Sequence, residues 1–146
     1  MTRKAYKQTS VPVSRTQEAI RKVLRSHGAM GCRFTDDWER GCVTLQFAKK
    51  VNDAPRTVRV QLDAGDNEKQ AYRALFYWLK SQFEAVDFGL LSFEDIFLSY
   101  FEFMLPDGKM GTVGDVVKER LASQESKWLL EEPSDEDAVD GEVREI

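Results

Sequence analysis

The spacing of apolar residues along this chain changes from helical to alternating and back again. Between residues 14 and 28 apolar positions recur every three or four residues, which predicts an amphipathic helix. Ser14 with Gln17 resembles a capping box at its start, and Gly28 favours its end. From residue 31 to 63 the spacing falls to two, with apolar positions at Cys32, Phe34, Val43, Leu45, Phe47, Val58, Val60 and Leu62. This segment predicts three antiparallel strands with one apolar face.

Helical spacing returns after the predicted strands. It predicts the longest helix from about Asp66 to Gly89 and a second long helix from Ser92 to Met104, with a cap residue at Asn67 and at Ser92. The turn 105–108 then precedes a last helix that begins near Thr112. The predicted fold class is therefore α+β: a three-stranded antiparallel β-meander packed against two long α-helices, with an N-terminal helix and a short C-terminal helix.

Charge divides the 146-residue chain into three parts. The first 25 residues carry seven basic side chains against Glu18, whereas residues 131–146 carry eight acids against Arg144 alone. So acidic a segment buries too little apolar surface to offset the entropy of ordering. We therefore predict a basic flexible arm over residues 1–13, a single α+β domain over 14–130 and a disordered acidic tail over 131–146.

The usual signatures of catalysis are sparse in this sequence. No phosphate-binding loop pattern occurs, and two cysteines with one histidine are too few for a four-ligand zinc site. His27 is predicted in the last turn of the basic first helix, beside Gly28, where an imidazole can contact the free carbonyls of the helix end. We therefore predict a protein that is not an enzyme and has no metal site and no cofactor.

Basic side chains on and around the predicted sheet point to a ligand site instead. On the face opposite Val58 and Val60, Arg59 is expected beside polar residues, with a tryptophan in the neighbouring turn. Guanidinium groups near an exposed aromatic ring suit phosphates and bases, although antiparallel sheets commonly leave one face simply solvated. The candidate ligand-binding residues are Arg59, Arg56, Arg73, Trp38, Arg33 and Lys80.

Five short motifs occur in order along the middle of the chain. They are Arg56-Thr57-Val58-Arg59-Val60, Tyr72-Arg73-Ala74-Leu75, the Glu84-Ala85-Val86-Asp87-Phe88-Gly89 stretch after Lys80, Phe93-Glu94-Asp95-Ile96-Phe97-Leu98, and Leu105-Pro106-Asp107-Gly108. Their order resembles a family of uncharacterised small proteins encoded by tailed bacteriophages and prophages. Tyr72 stands where that family has tryptophan and Gln82 where it has a second lysine, which weakens any anion site on this helix. The resemblance implies a phage accessory protein and supplies no catalytic residue.

Three modes of binding are consistent with these features. The first is sequestration of a nucleotide-derived ligand, such as a host defence signal, by the candidate residues above. The second is binding of single-stranded nucleic acid by the basic arm and the sheet. The third is inhibition of a host protein through an exposed apolar patch that includes Phe76, Trp78 or Phe88. Under each of them we expect a homodimer in the cytoplasm of the bacterial host, without a membrane segment.

Overall fold

The computed structural model of the chain describes residues 5–124, which form four α-helices and two antiparallel sheets. In chain order the elements are α1 (Val13–Ser26), β1 (Gly31–Asp37), β2 (Cys42–Val51), β3 (Ala54–Asp63), α2 (Glu68–Asp87), α3 (Phe93–Phe97), a 3-10 turn (Leu98–Tyr100), β4 (Glu102–Met104), β5 (Met110–Thr112) and α4 (Val113–Gln124). The larger sheet has the order β1-β2-β3, and β4 pairs with β5. The predicted α+β class and the three-stranded meander are confirmed.

Contacts divide the chain into two compact units, Met1–Gly114 and Asp115–Ile146. The first unit contains everything from α1 to β5, and the described part of the second unit is the remainder of α4. The predicted domain end at residue 130 and the predicted acidic tail lie outside the described residues. Residues 1–4 of the predicted basic arm lie outside them as well.

The core lies between the apolar face of the larger sheet and the helices α1 and α2. Its sheet side consists of Val43, Leu45, Phe47 and Val58, and its helix side of Ile20, Leu24, Leu75, Leu79 and Phe83, all at most 3% exposed. Phe97 of α3 completes the core, with its ring centroid 5.7 Å from that of Phe47 and 5.5 Å from that of Phe83. The alternation that predicted one apolar face therefore places these side chains correctly.

The prediction of a second long helix over residues 92–104 is wrong. The helix α3 ends at Phe97 after five residues, and the chain continues through a 3-10 turn into β4. Phe93, Phe97 and Phe101 have helical spacing and are all buried, but Phe101 reaches the core by forming a bridge with Val58 at the edge of β3. An aromatic-rich segment fits a half-buried strand as well as a helix, so periodicity alone cannot separate the two.

The predicted helix caps at Asn67 and Ser92 are confirmed. Asn67 Oδ1 accepts a hydrogen bond from Gln70 N at 3.1 Å, and Ser92 Oγ accepts one from Asp95 N at 3.1 Å. The capping box at Ser14 is wrong, because the N-cap of α1 is Pro12, two residues earlier, and it makes no side-chain cap hydrogen bond. The side chain of Gln17 reaches towards α2, where its Nε2 donates to the hydroxyl of Tyr72 at 3.2 Å.

The described part of the N-terminal arm lies against α2. Ala5 O accepts a hydrogen bond from Gln70 Nε2 at 2.8 Å. The ring of Tyr6 stacks on that of Tyr77 with the centroids 5.0 Å apart. From Ala5 onward, the chain is therefore held at this helix by both a polar and an aromatic contact.

Candidate functional site

The polar face of the larger sheet brings two of the predicted site residues together. In the register of the strands Arg33 lies opposite Gln46, and Gln46 lies opposite Arg59, so the three side chains form one row across β1, β2 and β3. Alternation puts this row on the face away from Phe47 and Val58. None of the residues that β1, β2 and β3 present on this face is aromatic. The row can bind an anionic group but offers no ring on which a base could stack.

Glu102 from β4 adds a carboxylate to this row. Its Oε1 accepts a hydrogen bond from Gln46 Nε2 at 2.6 Å and lies 3.9 Å from Arg59 Nε. The Glu102 side chain is only 9% exposed, so it compensates the positive charge of Arg59 from a shielded position. Arg33 makes no ion pair within residues 5–124. Arg33 is therefore a cation that this face offers to a ligand.

A shallow cavity of about 360 Å³ lies beside the row. Its polar lining includes Arg33, Gln46, Thr57 and Glu102. Small-molecule sites begin at about 300 Å³, so the cavity has room for a compact ligand. A guanidinium on one side and a carboxylate on the other suit a ligand that carries an anionic group and an N–H donor.

The other basic residues of the predicted site lie elsewhere. Arg56 pairs with Lys49 and has the strand parity of Val58, which points it to the opposite side of the sheet from Arg59. Arg73 belongs to α2, where its guanidinium contacts Thr16 Oγ1 at 3.5 Å and lies over the rings of Phe76 and Tyr77. Lys80, on the same helix, lies 4.0 Å from Glu84. Three of the six predicted residues are thus separated from Arg59 by the sheet.

Trp38 lies in the turn between β1 and β2. Its side chain is 81% exposed, and its Nε1 donates a hydrogen bond to Glu68 Oε1 at 3.0 Å. Trp38 is five residues along the chain from Arg33 in the row, about 16 Å at 3.3 Å per residue. The predicted pairing of this ring with Arg59 around one ligand therefore has no geometric basis.

An exposed apolar loop follows α2. Phe88 is 82% exposed, Leu90 73% and Leu91 53%. Phe76 and Trp78, the other aromatics of the predicted protein-binding patch, are half-buried, and Trp78 packs edge-on against Phe97 and Tyr100. Of the three predicted aromatics, only Phe88 is largely exposed. Two exposed leucines that the prediction did not name lie beside it in the chain.

The side chain of His27 links the C-terminal ends of α1 and α2. His27 Nδ1 lies 2.8 Å from Val23 O and its Nε2 lies 2.9 Å from Asp87 Oδ2, so α1 and α2 are joined at their C-terminal ends. The Val23 contact confirms the expected contact with a free carbonyl of the helix end.

Burial of the Tyr72 hydroxyl, reinforced by its 2.7 Å hydrogen bond to Asp36 Oδ1, raises the pKa of Tyr72 far above its usual range. That hydroxyl is a structural donor and not an acid at physiological pH.

Within residues 5–124 no three His, Cys, Asp or Glu side chains lie close enough to hold a metal ion. No helix among these residues has the length and apolar character needed to cross a membrane. Cys32 and Cys42 are free thiols, the first exposed and the second half-buried.

Glu102, Leu90 and Leu91 are features that the sequence pattern does not single out. Glu102 falls in the segment predicted to be helical, and only the bridge between Val58 and Phe101 reveals its position beside the sheet. The leucines carry a weak signal, because they directly follow Gly89, a residue type that commonly ends helices.

No family model, curated protein or solved structure matches this chain. The resemblance to small phage proteins therefore stays a prediction that rests on the sequence motifs alone. The structure does give those motifs physical roles. Gly89 ends α2 with a φ of +74°, and Gly108 turns the β4–β5 hairpin with a φ of +86°.

Proposed function

We propose that this protein is a non-enzymatic binding protein that docks onto another protein through its apolar loop, residues 88–91. The observation that carries the proposal is the exposure of Phe88 and Leu90, at 82% and 73%. Single exposed apolar residues are ordinary on protein surfaces, but adjacent large ones mark interaction sites. Of the three predicted modes of binding, inhibition or capture of a protein agrees best with this loop.

The backbone holds the loop in one conformation. Gly89 N donates to Val86 O at 2.9 Å and Leu90 N donates to Ala85 O at 3.0 Å, the hydrogen-bond pattern of a Schellman helix end. In that motif the residue after the glycine usually packs on the last turn of the helix, yet Leu90 is mostly exposed. The apolar side chains are thus presented on a rigid base, which lowers the entropic cost of binding.

The partner that fits this loop presents an apolar pocket of its own. Full burial of a Phe or Leu side chain is worth about 1.5 to 3 kcal/mol, so two or three such residues supply the core of an interface. The loop also follows the ion pair of His27 with Asp87, which supplies a polar rim. The resemblance to phage accessory proteins would make the partner a host protein and the bacterial cytoplasm the place of action.

The non-enzymatic part of the proposal is supported by the state of the groups that could act as acid or base. His27, the one histidine of the chain, has both ring nitrogens engaged and its ring stacked 4.4 Å from that of Phe83. A general base needs a free nitrogen that faces a substrate. His27 therefore serves the joint between two helices.

The proposal is tested by photo-crosslinking in producing cells followed by affinity measurement. A photoreactive phenylalanine analogue at position 88 is expected to trap one defined protein, whereas the same analogue at position 104, where Met104 is 67% exposed, is not. With that partner purified, Leu90→Asp should weaken binding by at least about thirtyfold, the loss expected of a hot-spot residue.

Met104→Asp is the matched control, because it likewise replaces an exposed apolar side chain by a carboxylate, on β4 and outside the loop 88–91. Both variants should keep the wild-type melting temperature. The proposal is overturned if position 88 traps no defined protein, or if Met104→Asp weakens binding as much as Leu90→Asp does.

A second candidate function is binding of a small nucleotide-type ligand in the cavity on the polar face. The observation that favours it is a cavity of ligand size whose lining contains both Arg33, which makes no ion pair within residues 5–124, and the shielded Glu102. A phosphate would meet the guanidinium, and an N–H of the base would meet the carboxylate. The site would consist of Arg33, Gln46 and Glu102, with Arg59 beside them. Single-stranded nucleic acid is less favoured, because the strands offer no stacking ring on this face.

A further inference from the structure

One edge of the larger sheet is open within the described residues. β1 pairs with β2 over its full length from Gly31 to Asp37, and no described strand pairs with its other side. The register is continuous, so no bulge twists this edge away, and the strand contains no proline. Proteins normally protect an edge of this length by bulges, prolines or a covering element. This edge is therefore suited to accept another strand.

A second cavity, of about 390 Å³, lies next to the start of this edge on the helix side. Arg21, Leu24 and Arg25 of α1 line it together with Met30 and Cys32. Met30 is 59% exposed, although it is apolar. An apolar base between two guanidinium groups is a good environment for an aromatic ring, because cations attract the face of the ring.

An unburied aromatic ring lies at the opposite end of the same strand. Trp38 directly follows β1 and is 81% exposed. It is eight residues from Met30, about 26 Å along an extended strand, so the indole cannot enter the cavity of its own chain. If β1 of a second copy ran antiparallel to this strand, the Trp38 ring of that copy would lie at this cavity. The ring would then be covered and the cavity filled.

We propose that two copies of this chain pair through β1, antiparallel about a two-fold axis at Phe34, and join their meanders into one six-stranded sheet. In this register Arg33 lies opposite Thr35 of the second copy and diagonal to its Asp37. Cys32 lies opposite Asp36 of the second copy. Extension of the register by one residue at each end places Trp38 of one copy opposite Met30 of the other, at the mouth of the cavity.

The charges of the strand favour this arrangement over other occupants. The first half of β1 carries Arg33 and the second half carries Asp36 and Asp37. Antiparallel pairing brings the basic half of each copy against the acidic half of the other, whereas parallel pairing would place the aspartates against each other. A two-fold contact is self-complementary and closes after two copies. It also covers four exposed apolar side chains, Met30 and Trp38 from each chain.

The interface is distinct from the proposed protein-docking loop, so the two can be tested separately. Sedimentation velocity over a concentration series is expected to show a monomer–dimer equilibrium for the full chain. Trp38→Ala should weaken dimerisation by at least about tenfold, as expected for an aromatic anchor in a pocket. Phe88→Ala removes an equally exposed ring and should leave the equilibrium unchanged. A monomer at several hundred micromolar, or equal effects of the two variants, would overturn the proposal.

Cysteine pairing tests the register independently. In a background of Cys32→Ser and Cys42→Ser, the double variant Arg33→Cys, Thr35→Cys should form a covalent dimer when oxidised glutathione accepts the two electrons of each new disulfide. Thr35→Cys alone should stay a monomer on a non-reducing gel, because residue 35 does not lie opposite itself. A covalent dimer of Thr35→Cys alone, or no covalent dimer of the double variant, contradicts the two-fold axis at Phe34.

Discussion

At the scale of single residues, His27 couples two helix ends. Its Nδ1 faces a carbonyl oxygen and its Nε2 faces a carboxylate, so both nitrogens can act as donors only when the ring is protonated. Burial lowers the pKa of His27, but the hydrogen bonds to Asp87 and Val23 and the charge of Asp87 outweigh burial and raise the pKa above 6.5. Asp87 lies in the last turn of α2, where a carboxylate alone is unfavourable, and the imidazolium compensates it.

This geometry predicts a pH dependence of stability. Because the pKa of His27 is raised in the folded state, the stabilisation is fully present below pH 6.5 and is lost as the pH rises through the folded pKa. The pair is partly exposed, so its contribution should stay below about 1 kcal/mol. The melting temperature of the wild type minus that of Asp87→Asn should therefore fall between slightly acidic and slightly basic pH.

Glu84→Gln is the matched control, because Glu84 is an equally exposed carboxylate one turn away that pairs with Lys80. Its melting temperature should follow that of the wild type across the same pH range. A difference between wild type and Asp87→Asn that stays constant with pH would contradict the assignment.

The predicted site residues also show which parts of a site can be placed from the sequence position of each residue. Alternation correctly predicts that Arg59 lies on the face opposite Val58, and the register adds Arg33 to the same row. The same alternation already separates Arg56 from Arg59, because the two residues are three positions apart and an odd offset points them to opposite faces. Arg73 and Lys80 could not be placed from the sequence, since the side of the sheet that α2 covers is decided by packing.

At the scale of elements, the residues at the helix ends show what a local cap pattern can predict. Asn67 caps α2 by accepting from Gln70 N, whereas Ser14 lies inside the first turn of α1 and caps nothing. A cap pattern therefore has value only at the residue where the chain actually enters the helix. For α1, the entry is set by Pro12, because proline fixes its own φ and restricts the residue before it.

The two cap positions give a matched pair of variants. Asn67→Ala should lower the free energy of unfolding by about 1 kcal/mol, because a free backbone N–H of α2 loses its acceptor. Ser14→Ala should change it by less than about 0.5 kcal/mol. Asn67→Asp keeps the acceptor and should stay near the wild type. Denaturant titration measures all three, and an equal loss for Ser14→Ala and Asn67→Ala would contradict the assignment of the caps.

The segment from residue 92 to 104 shows the limit of periodicity. Its first half forms α3, and its second half leaves the helix so that Phe101 can reach Val58 at the sheet edge. The turn at 105–108 is confirmed, but it joins two strands and does not end a helix. This difference matters for function, because it brings Glu102 to the polar face beside Gln46.

At the scale of the whole molecule, the ligand candidate and the docking proposal use different surfaces. The cavity with Arg33 and Glu102 lies on the polar face of the sheet, whereas Phe88 and Leu90 lie beyond the end of α2. A ligand that binds only the folded state raises the melting temperature by mass action. Thermal unfolding therefore tests the cavity without any knowledge of a protein partner.

The ligand candidate predicts that ADP-ribose or a cyclic dinucleotide in large excess raises the melting temperature of the wild type. At about one hundred times the dissociation constant the gain is about 2.7 kcal/mol, a shift of several degrees. Arg33→Ala should abolish the shift, and Arg73→Ala, on the other side of the sheet, should keep it. No shift with either compound, or loss of the shift in Arg73→Ala, would contradict the site.

The sequence by itself determined the α+β class, the three strands with their apolar face, the long α2 and the caps at Asn67 and Ser92. These features depend on residues close together in the chain, so their spacing and turn chemistry are sufficient. Only the tertiary structure decided that Glu102 joins the row of Arg33 and Arg59, that Arg73 lies across the sheet, and that Phe88 and Leu90 stay in water. Each of these depends on which distant surfaces are covered, and burial is a property of the packed chain.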